Sequence, residues 1–318
     1  MNMKNKLLFF PFAFVLTQLH GQLIPISYNL NNKELVNIAL LNTEKIKYPF
    51  STRHEAMLMH RSQWTGLEQG PKWSGLAYNL YLDENARTGG SLYYESFGAI
   101  RSFFFSGNYA YEININENNI ISGGGILRYN LNQLNTGKTA IRNPGDPLLA
   151  ENPSSSNLSF SPGICFTSIF PESDISFVLG GSFHNVLSVG FSKEKLATPI
   201  KALVLHSSLI KFLSPGFKEV SSIEFGFVYR SYNYISDDIH LYGKYNWKGY
   251  LSMRPGIRFG TAQGFRFHAA HLDIGAPLGN LFNLKNLGVD LNYVFELPFT
   301  ANSSAFGTTH EICLTSLF

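Results

Sequence analysis

Alternation with a period of two, sustained over about ten residues at a time, is the feature that most constrains this chain. In NLGVDLNYVFEL one face reads Leu287, Val289, Leu291, Tyr293, Phe295 and Leu297, and the other Asn286, Gly288, Asp290, Asn292, Val294 and Glu296. SSIEFGFVYR sets Ile223, Phe225, Phe227 and Tyr229 against Ser222, Glu224, Gly226, Val228 and Arg230. SFFFSGNYAYEI puts Phe103, Phe105, Tyr109, Tyr111 and Ile113 on one side. Side chains that reverse direction at every residue mark β-strands. Soluble sheets alternate too, but their strands average about 5–6 residues. A tilted strand crossing a bilayer needs ~9–11. The apolar faces carry Phe, Leu and Val mid-strand and Tyr or Trp near the ends, as an aromatic girdle requires. The opposite faces hold Asn, Ser, Gly, Glu and Arg, which suit a watery lumen better than a dry core.

Composition agrees. Only 15% of the 318 residues are charged and 14% are aromatic, yet the mean hydropathy is −0.03. An ordinary soluble domain is roughly 25% charged. Uncharged polar residues therefore dilute the apolar ones, which fits a sheet with lipid on one face and water on the other. The net charge of +3 is small and scattered, and gives no nucleic-acid footprint. Cys165 and Cys313 lie far apart, without C-x-x-C spacing, so a zinc site has no support and a disulfide is neither required nor excluded.

The first residues read as a secretory signal: Lys4 and Lys6, then the apolar run LLFFPFAFVL from Leu7 to Leu16. Cleavage near Gly21 leaves Gln22 first. The run is about half the ~20 residues a transmembrane helix needs, and the lack of a following cysteine excludes lipoprotein processing. Three regions follow: a signal peptide over 1–21, a poorly alternating 22–53 expected as a periplasmic segment or an extra strand, and a barrel over 54–318.

About fourteen strands are expected in the barrel, an all-β transmembrane antiparallel barrel of the outer-membrane type. They begin near Glu55, Trp73, Gly90, Ser102, Asn119, Asn157, Ile175, Pro199, Val220, Ile239, Tyr250, Gly264, Asn286 and Gly307. An even count puts both ends on the periplasmic side. The fifth connection then faces outward, and it is QLNTGKTAIRNPGDPLLAENPSSS, Gln133 to Ser156, the longest and richest in Pro, Asn and Ser. Long loops belong on that side.

Chemistry is scarce. His268 and His271 in HAAH would share a helix face, but in a strand an offset of three points them apart. His54-Glu55 and His310-Glu311 lack the second histidine of H-E-x-x-H, and no G-x-S-x-G is present. SGGGILRY, from Ser122 to Tyr129, has the glycines of a phosphate loop without its Lys-Ser/Thr, and reads as barrel curvature. No catalytic, metal or cofactor residue is assigned.

Two stretches stand out as candidate sites. MHRSQWTGLEQGPKWSG, Met59 to Gly75, reads as a hairpin: a strand to Trp64, a turn over Gly66 to Pro71, and a second strand from Trp73. Arg61, costly in lipid, is expected in the lumen with Gln63 on its face, and Trp64 on the other. The two tryptophans are girdle residues, or the hairpin is a surface that docks another protein. HEICLTSLF ends the chain on Phe318, with Ile312 and Leu314 on the same face, a pattern read as the signal for the outer-membrane assembly machinery.

RSQWTGL, Arg61 to Leu67, with Gly70-Pro71 after it, resembles the early motif of the PorP/SprF family of type IX secretion membrane proteins: R-x-Q-W-x-G-aromatic, then Gly-Ala-Pro. GGSLYYESFGAIRSFFFSGNYAYEI (89–113), IISGGGILRYNLN (120–132) and THEICLTSLF (309–318) are similar to later strands of that family, in order. The resemblance runs from about residue 55 to 318. The motif residues are Arg61, Gln63, Trp64, Gly66, Gly70 and Pro71; Leu67 stands where an aromatic is common, and Gln69-Gly70 replaces Gly-Ala. The family's opening N-P-A-x-x-G is missing between Gln22 and Arg53, which marks a divergent member. The resemblance implies an integral outer-membrane barrel without enzymatic activity. Such a barrel works beside the type IX machinery, and its rim and outer loops dock the C-terminal domain of a secreted cargo such as a gliding adhesin. The alternatives read from the residues are a solute-conducting porin, suggested by the polar lumen faces, and an outer-membrane lipase.

Overall fold

A computed structural model describes residues 32–40, 54–135, 154–192, 199–213, 221–233, 237–248, 250–260, 266–281, 288–299 and 307–318. The signal-peptide assignment over 1–21 and most of the fifth connection lie outside them.

The chain forms one antiparallel sheet that closes on itself. Its strands are β1 (His54–Ser62), β2 (Lys72–Tyr81), β3 (Ala86–Phe97), β4 (Ile100–Asn116), β5 (Asn119–Leu134), β6 (Ser154–Phe170), β7 (Ile175–His184) and β8 (Leu187–Gly190). There follow β9 (Ala202–Phe212), β10 (Ser222–Tyr232), β11 (Asp238–Trp247), β12 (Leu251–Gly260), β13 (Arg266–Pro277), β14 (Gly288–Pro298) and β15 (Thr309–Leu317). Neighbours in sequence pair from β1 to β7 and from β9 to β15, β9 pairs with β7, and β15 pairs with β1 to close the ring. β7 and β8 share one partner: β6 pairs with β7 from Gly163 to Phe170 and with β8 from Asn157 to Phe160. They are two pieces of a single crossing, interrupted at Asn185, which has a left-handed φ of 54°. The wall thus has fourteen crossings, as the alternation predicts. The starts expected at Asn119 and Ile175 are those observed, and the largest offset is at β3, which begins at Ala86 where Gly90 was expected. Among the described residues no helix is long and apolar enough to cross a membrane; the strands do so.

His54 and Phe318 exchange both backbone hydrogen bonds, at 2.9 and 3.0 Å, so the first and last strands end at one rim. That rim carries the tight 117–118 turn, and the opposite rim carries the 63–71, 135–153 and 299–308 connections. Long loops face outward in such barrels, which makes the opposite rim the extracellular one.

The outer face is apolar as expected. Phe105, Tyr109, Tyr111, Leu127, Ile164, Leu179, Leu209, Phe225, Leu241, Ile312 and Phe318 are all exposed on it. The inner face departs from the expectation of a watery lumen. Glu112 and Glu311 are each 1% exposed and His240 is 0%. Charges facing one another pair instead of hydrating: Arg61–Glu311 at 3.2 Å, Arg87–Glu55 at 3.0 Å, Arg230–Asp238 at 3.3 Å, Arg254–Asp273 at 3.1 Å and Arg258–Glu296 at 3.2 Å. Three of these pairs join residues directly opposite in the register: 61 with 311, 230 with 238, and 254 with 273. Such direct pairs lie about 5 Å apart at Cβ, within reach of each other's charge.

Candidate functional site

Geometry sets the problem that the lumen must solve. Strands ~4.8 Å apart and tilted about 40° close a fourteen-strand ring roughly 28 Å across between backbones. Side chains alone fill an eight-strand barrel, whereas sixteen strands leave an aqueous channel. A ring of intermediate size needs something more in its middle, and here the chain supplies it. Residues 32–40, NKELVNIAL, lie inside the barrel, and all but Leu35 and Leu40 are fully buried. They form neither a strand nor a periplasmic segment. Lys33–Val36 make a single helical turn, α1, too short to hold itself in water. The wall therefore sets its shape.

The plug is held in three places. Glu34 accepts hydrogen bonds from Ser91 Oγ at 3.0 Å, Ser106 Oγ at 2.5 Å and Arg128 Nη2 at 3.2 Å, and Tyr93 OH lies 3.4 Å from its second oxygen. Asn32 donates to Tyr93 OH at 2.9 Å. Next along the wall the Asn37 amide donates to the carbonyl of Ile164 at 2.8 Å and lies 3.1 Å from Gly181 O and from His206 Nε2. Ile164 and Gly181 face each other one pair from the end of the β6–β7 ladder, beside the interrupted crossing. Ser182 Oγ donates to Val36 O at 2.7 Å, and Ser122 Oγ donates to Ala39 O. The plug thereby stitches the wall where its own ladder stops.

Apolar contacts complete the seat. Val36 packs with Val204 and Val228, Ile38 with Ala110 and Ile126, and Ala39 with Cys165 and Val178. Leu35 packs against the cluster of Met57, Met59, Trp73, Ala77, Tyr93 and Cys313. Fully burying one such aliphatic side chain contributes about 1.5–3 kcal/mol. Gly163 makes room for the plug: a Cβ there would stand 2.1 Å from Asn37 Oδ1.

The family-motif hairpin lies on the extracellular rim. Arg61 faces the lumen as expected, beside Glu311, and its Nη2 lies 3.5 Å from Gln63 Oε1. Trp73 is no girdle residue: it points inward, 3% exposed, stacked on Tyr93 with centroids 4.4 Å apart. Trp64 adopts a left-handed φ of 56° and meets Phe97 edge-on at 6.0 Å. That backbone costs an L-residue about 1–2 kcal/mol, so the loop around it is held firmly. Gln63 N donates to Pro71 O at 2.8 Å, and Gly70 N donates to Leu67 O at 3.0 Å. A side chain at Gly70 would run into Gln63 O at 2.5 Å. Thr65 N donates to Thr308 O at 3.0 Å, tying the hairpin to the β14–β15 connection, and Gly66 abuts Gly307 there. Leu67 is exposed.

Ile312, Leu314 and Phe318 share the outward face of the last strand, and at the other rim the Phe318 ring stacks on His54 at 5.3 Å. Both cysteines are free and buried on the inner side. His271 stands in the lumen 3.3 Å from His240 Nε2, while His268 is skipped in the β12–β13 register.

The plug escaped the reading of residues 22–53 because its ties are side-chain bonds to distant strands. One signal was present: Asn37-Ile38-Ala39 keeps the outer two residues of the Asn-Pro-Ala that opens the family, with isoleucine for proline.

An antiparallel barrel with a lipid-facing apolar skin, a paired charged interior and its own segment in the lumen defines an integral outer-membrane protein of the plugged-barrel class. Its course is similar to that of a Pseudomonas aeruginosa FadL homologue, at 11% identity over 88% of this chain and 93% of that one, TM-score 0.44. It is likewise similar to the Ralstonia pickettii toluene transporter TbuX, at 9% over 84% and 88%, TM-score 0.46. The KdgM porin matches at 11% over 83% and 99%, TM-score 0.39. No curated protein matches in sequence. The chain belongs to the PorP/SprF family of type IX secretion system membrane proteins, whose model matches residues 50–316.

Proposed function

We propose that this barrel docks a secreted cargo at the cell surface, as an accessory component of type IX secretion, and conducts no solute. The observation that carries this reading is the occupied lumen: with Glu34 bonded to Arg128 of β5 and Asn37 to Ile164 of the neighbouring β6, the surfaces left for work are the rims. The motif hairpin 63–71 is the candidate contact, since its loop is fixed by bonds to Pro71 and Thr308 and presents Leu67 outward. A rigid loop loses little entropy on binding. The partner is the C-terminal domain of a type IX cargo, a gliding adhesin being the type expected, with the secretion machinery alongside. Ile312, Leu314 and Phe318 serve the assembly machinery. Family membership supports a role without catalysis.

Deleting the gene tests the reading. Cargo encoded beside it is expected to be lost from the surface and to accumulate in the cell or medium, and a Trp64→Ala, Leu67→Ala barrel present at normal levels is expected to restore display poorly. Normal cargo display in the deletion strain would overturn the proposal.

A further inference from the structure

The plug is attached to the wall in an unusual way. Its own backbone bonds are local: Leu35 N to Asn32 O, Asn37 N to Lys33 O and Leu40 N to Asn37 O. Among the described residues no backbone–backbone bond joins it to a strand; the hydrogen bonds of Glu34, Asn37, Val36 and Ala39 to the wall each use a side chain. A strand of the sheet is held by a continuous ladder, whereas this segment is held as a ligand is, by discrete groups in fixed places. Those groups form two built subsites. One, from β3, β4 and β5, offers Arg128, Ser91, Ser106 and Tyr93 to a carboxylate. The other, where β7 gives way to β8, offers the Ile164 and Gly181 carbonyls and His206 to a primary amide. The space over Gly163 is shaped to that amide.

We propose that the lumen is an exchangeable peptide-binding site. Its ligand is a short segment that folds as one helical turn and a bend, with an acidic side chain followed three residues later by asparagine and apolar residues between and after. Residues 32–40 occupy it at rest. A partner protein carrying this pattern takes the same seat when the N-terminal segment withdraws, and is anchored inside the barrel, a mode of attachment separate from docking at the rim. Both subsites read side chains, so the selectivity is for sequence and not for strand-forming tendency.

The test uses the full chain with a protease site inserted between Lys45 and Ile46, folded into the membrane and then nicked. A fluorescent peptide spanning residues 30–42 is expected to enter the nicked barrel saturably and to displace the cleaved fragment. Peptides carrying Glu34→Gln or Asn37→Ala are expected to bind roughly tenfold or more weakly, the loss of one charge-assisted or doubly used hydrogen-bonding group. In an Arg128→Gln barrel the Glu34→Gln peptide should lose that disadvantage, a readout that a general loosening of the fold would not give. Retention of the cleaved fragment with no peptide uptake would overturn the proposal, as would equal binding of a scrambled peptide. Gene-deletion effects on cargo do not bear on either outcome, so the two readings fail separately.

Discussion

Arg61 shows how a single residue serves two levels of the structure. It opens the family motif, and it ends the inward row of β1 beside Glu311, its direct partner in the register. Both side chains are buried, at 3% and 1% exposure. Removing one member of a buried pair costs about 3–5 kcal/mol, because the remaining charge keeps its desolvation penalty without its counter-charge. Arg61→Met is therefore expected to lower stability by an amount of that order, and Arg61→Met with Glu311→Leu to recover most of it. Urea unfolding in lipid vesicles, followed by tryptophan fluorescence, measures both. A double variant as unstable as the single one would show that stranded charge is not the cause. The lumenal position of Arg61 was legible because lipid excludes a guanidinium. Its partner was not, since 250 residues separate them and only register brings them together.

At the scale of elements, the strands were legible and their interruptions were not. Each crossing meets lipid on one face and packed polar groups on the other, so the period-two signal survives even in β6, with Ser155, Asn157, Ser159 and Ser161 inward. The break between β7 and β8 leaves no such trace; Asn185 and its left-handed φ have nothing periodic about them. Trp73 misled for a related reason: hydropathy alone does not separate a ring facing lipid from one stacked inside on Tyr93. The last strand gives a prediction at this scale. Phe318 is exposed at the seam where β15 meets β1, its ring on His54 and its backbone paired with the same residue. Phe318→Ala keeps both backbone bonds and removes the ring. If the terminal aromatic is an assembly signal, the variant reaches the outer membrane several-fold less abundantly, while its unfolding midpoint once inserted shifts little. Equal abundance with a lowered midpoint would make the ring a structural clasp instead.

For the molecule as a whole, the wall and the plug depend on each other. A ring of this width has a void that the wall's side chains do not fill. Residues 32–40 sit in it and bond the wall beside its broken crossing. On the proposed reading, closure to solutes rests on fit at particular positions, and Gly163 is the sharpest of them, with only 2.1 Å between an added Cβ and Asn37 Oδ1. Gly163→Leu sets a branched side chain where the plug's amide lies. Forced overpacking of this kind costs about 1–3 kcal/mol, and the plug, which has no ladder to the wall, is the part free to move. Gly123→Leu is the matched control: it lies on the outer face, and a Cβ there meets nothing within 4 Å. In planar bilayers the native barrel and Gly123→Leu are expected to remain silent, and Gly163→Leu to show stepwise conductance that the 30–42 peptide does not restore to baseline, because its own Asn37 meets the same leucine. Conductance by the native barrel would favour the alternative solute-channel reading over docking. Silence of Gly163→Leu would mean that the void is closed by more than the nine residues seated in it.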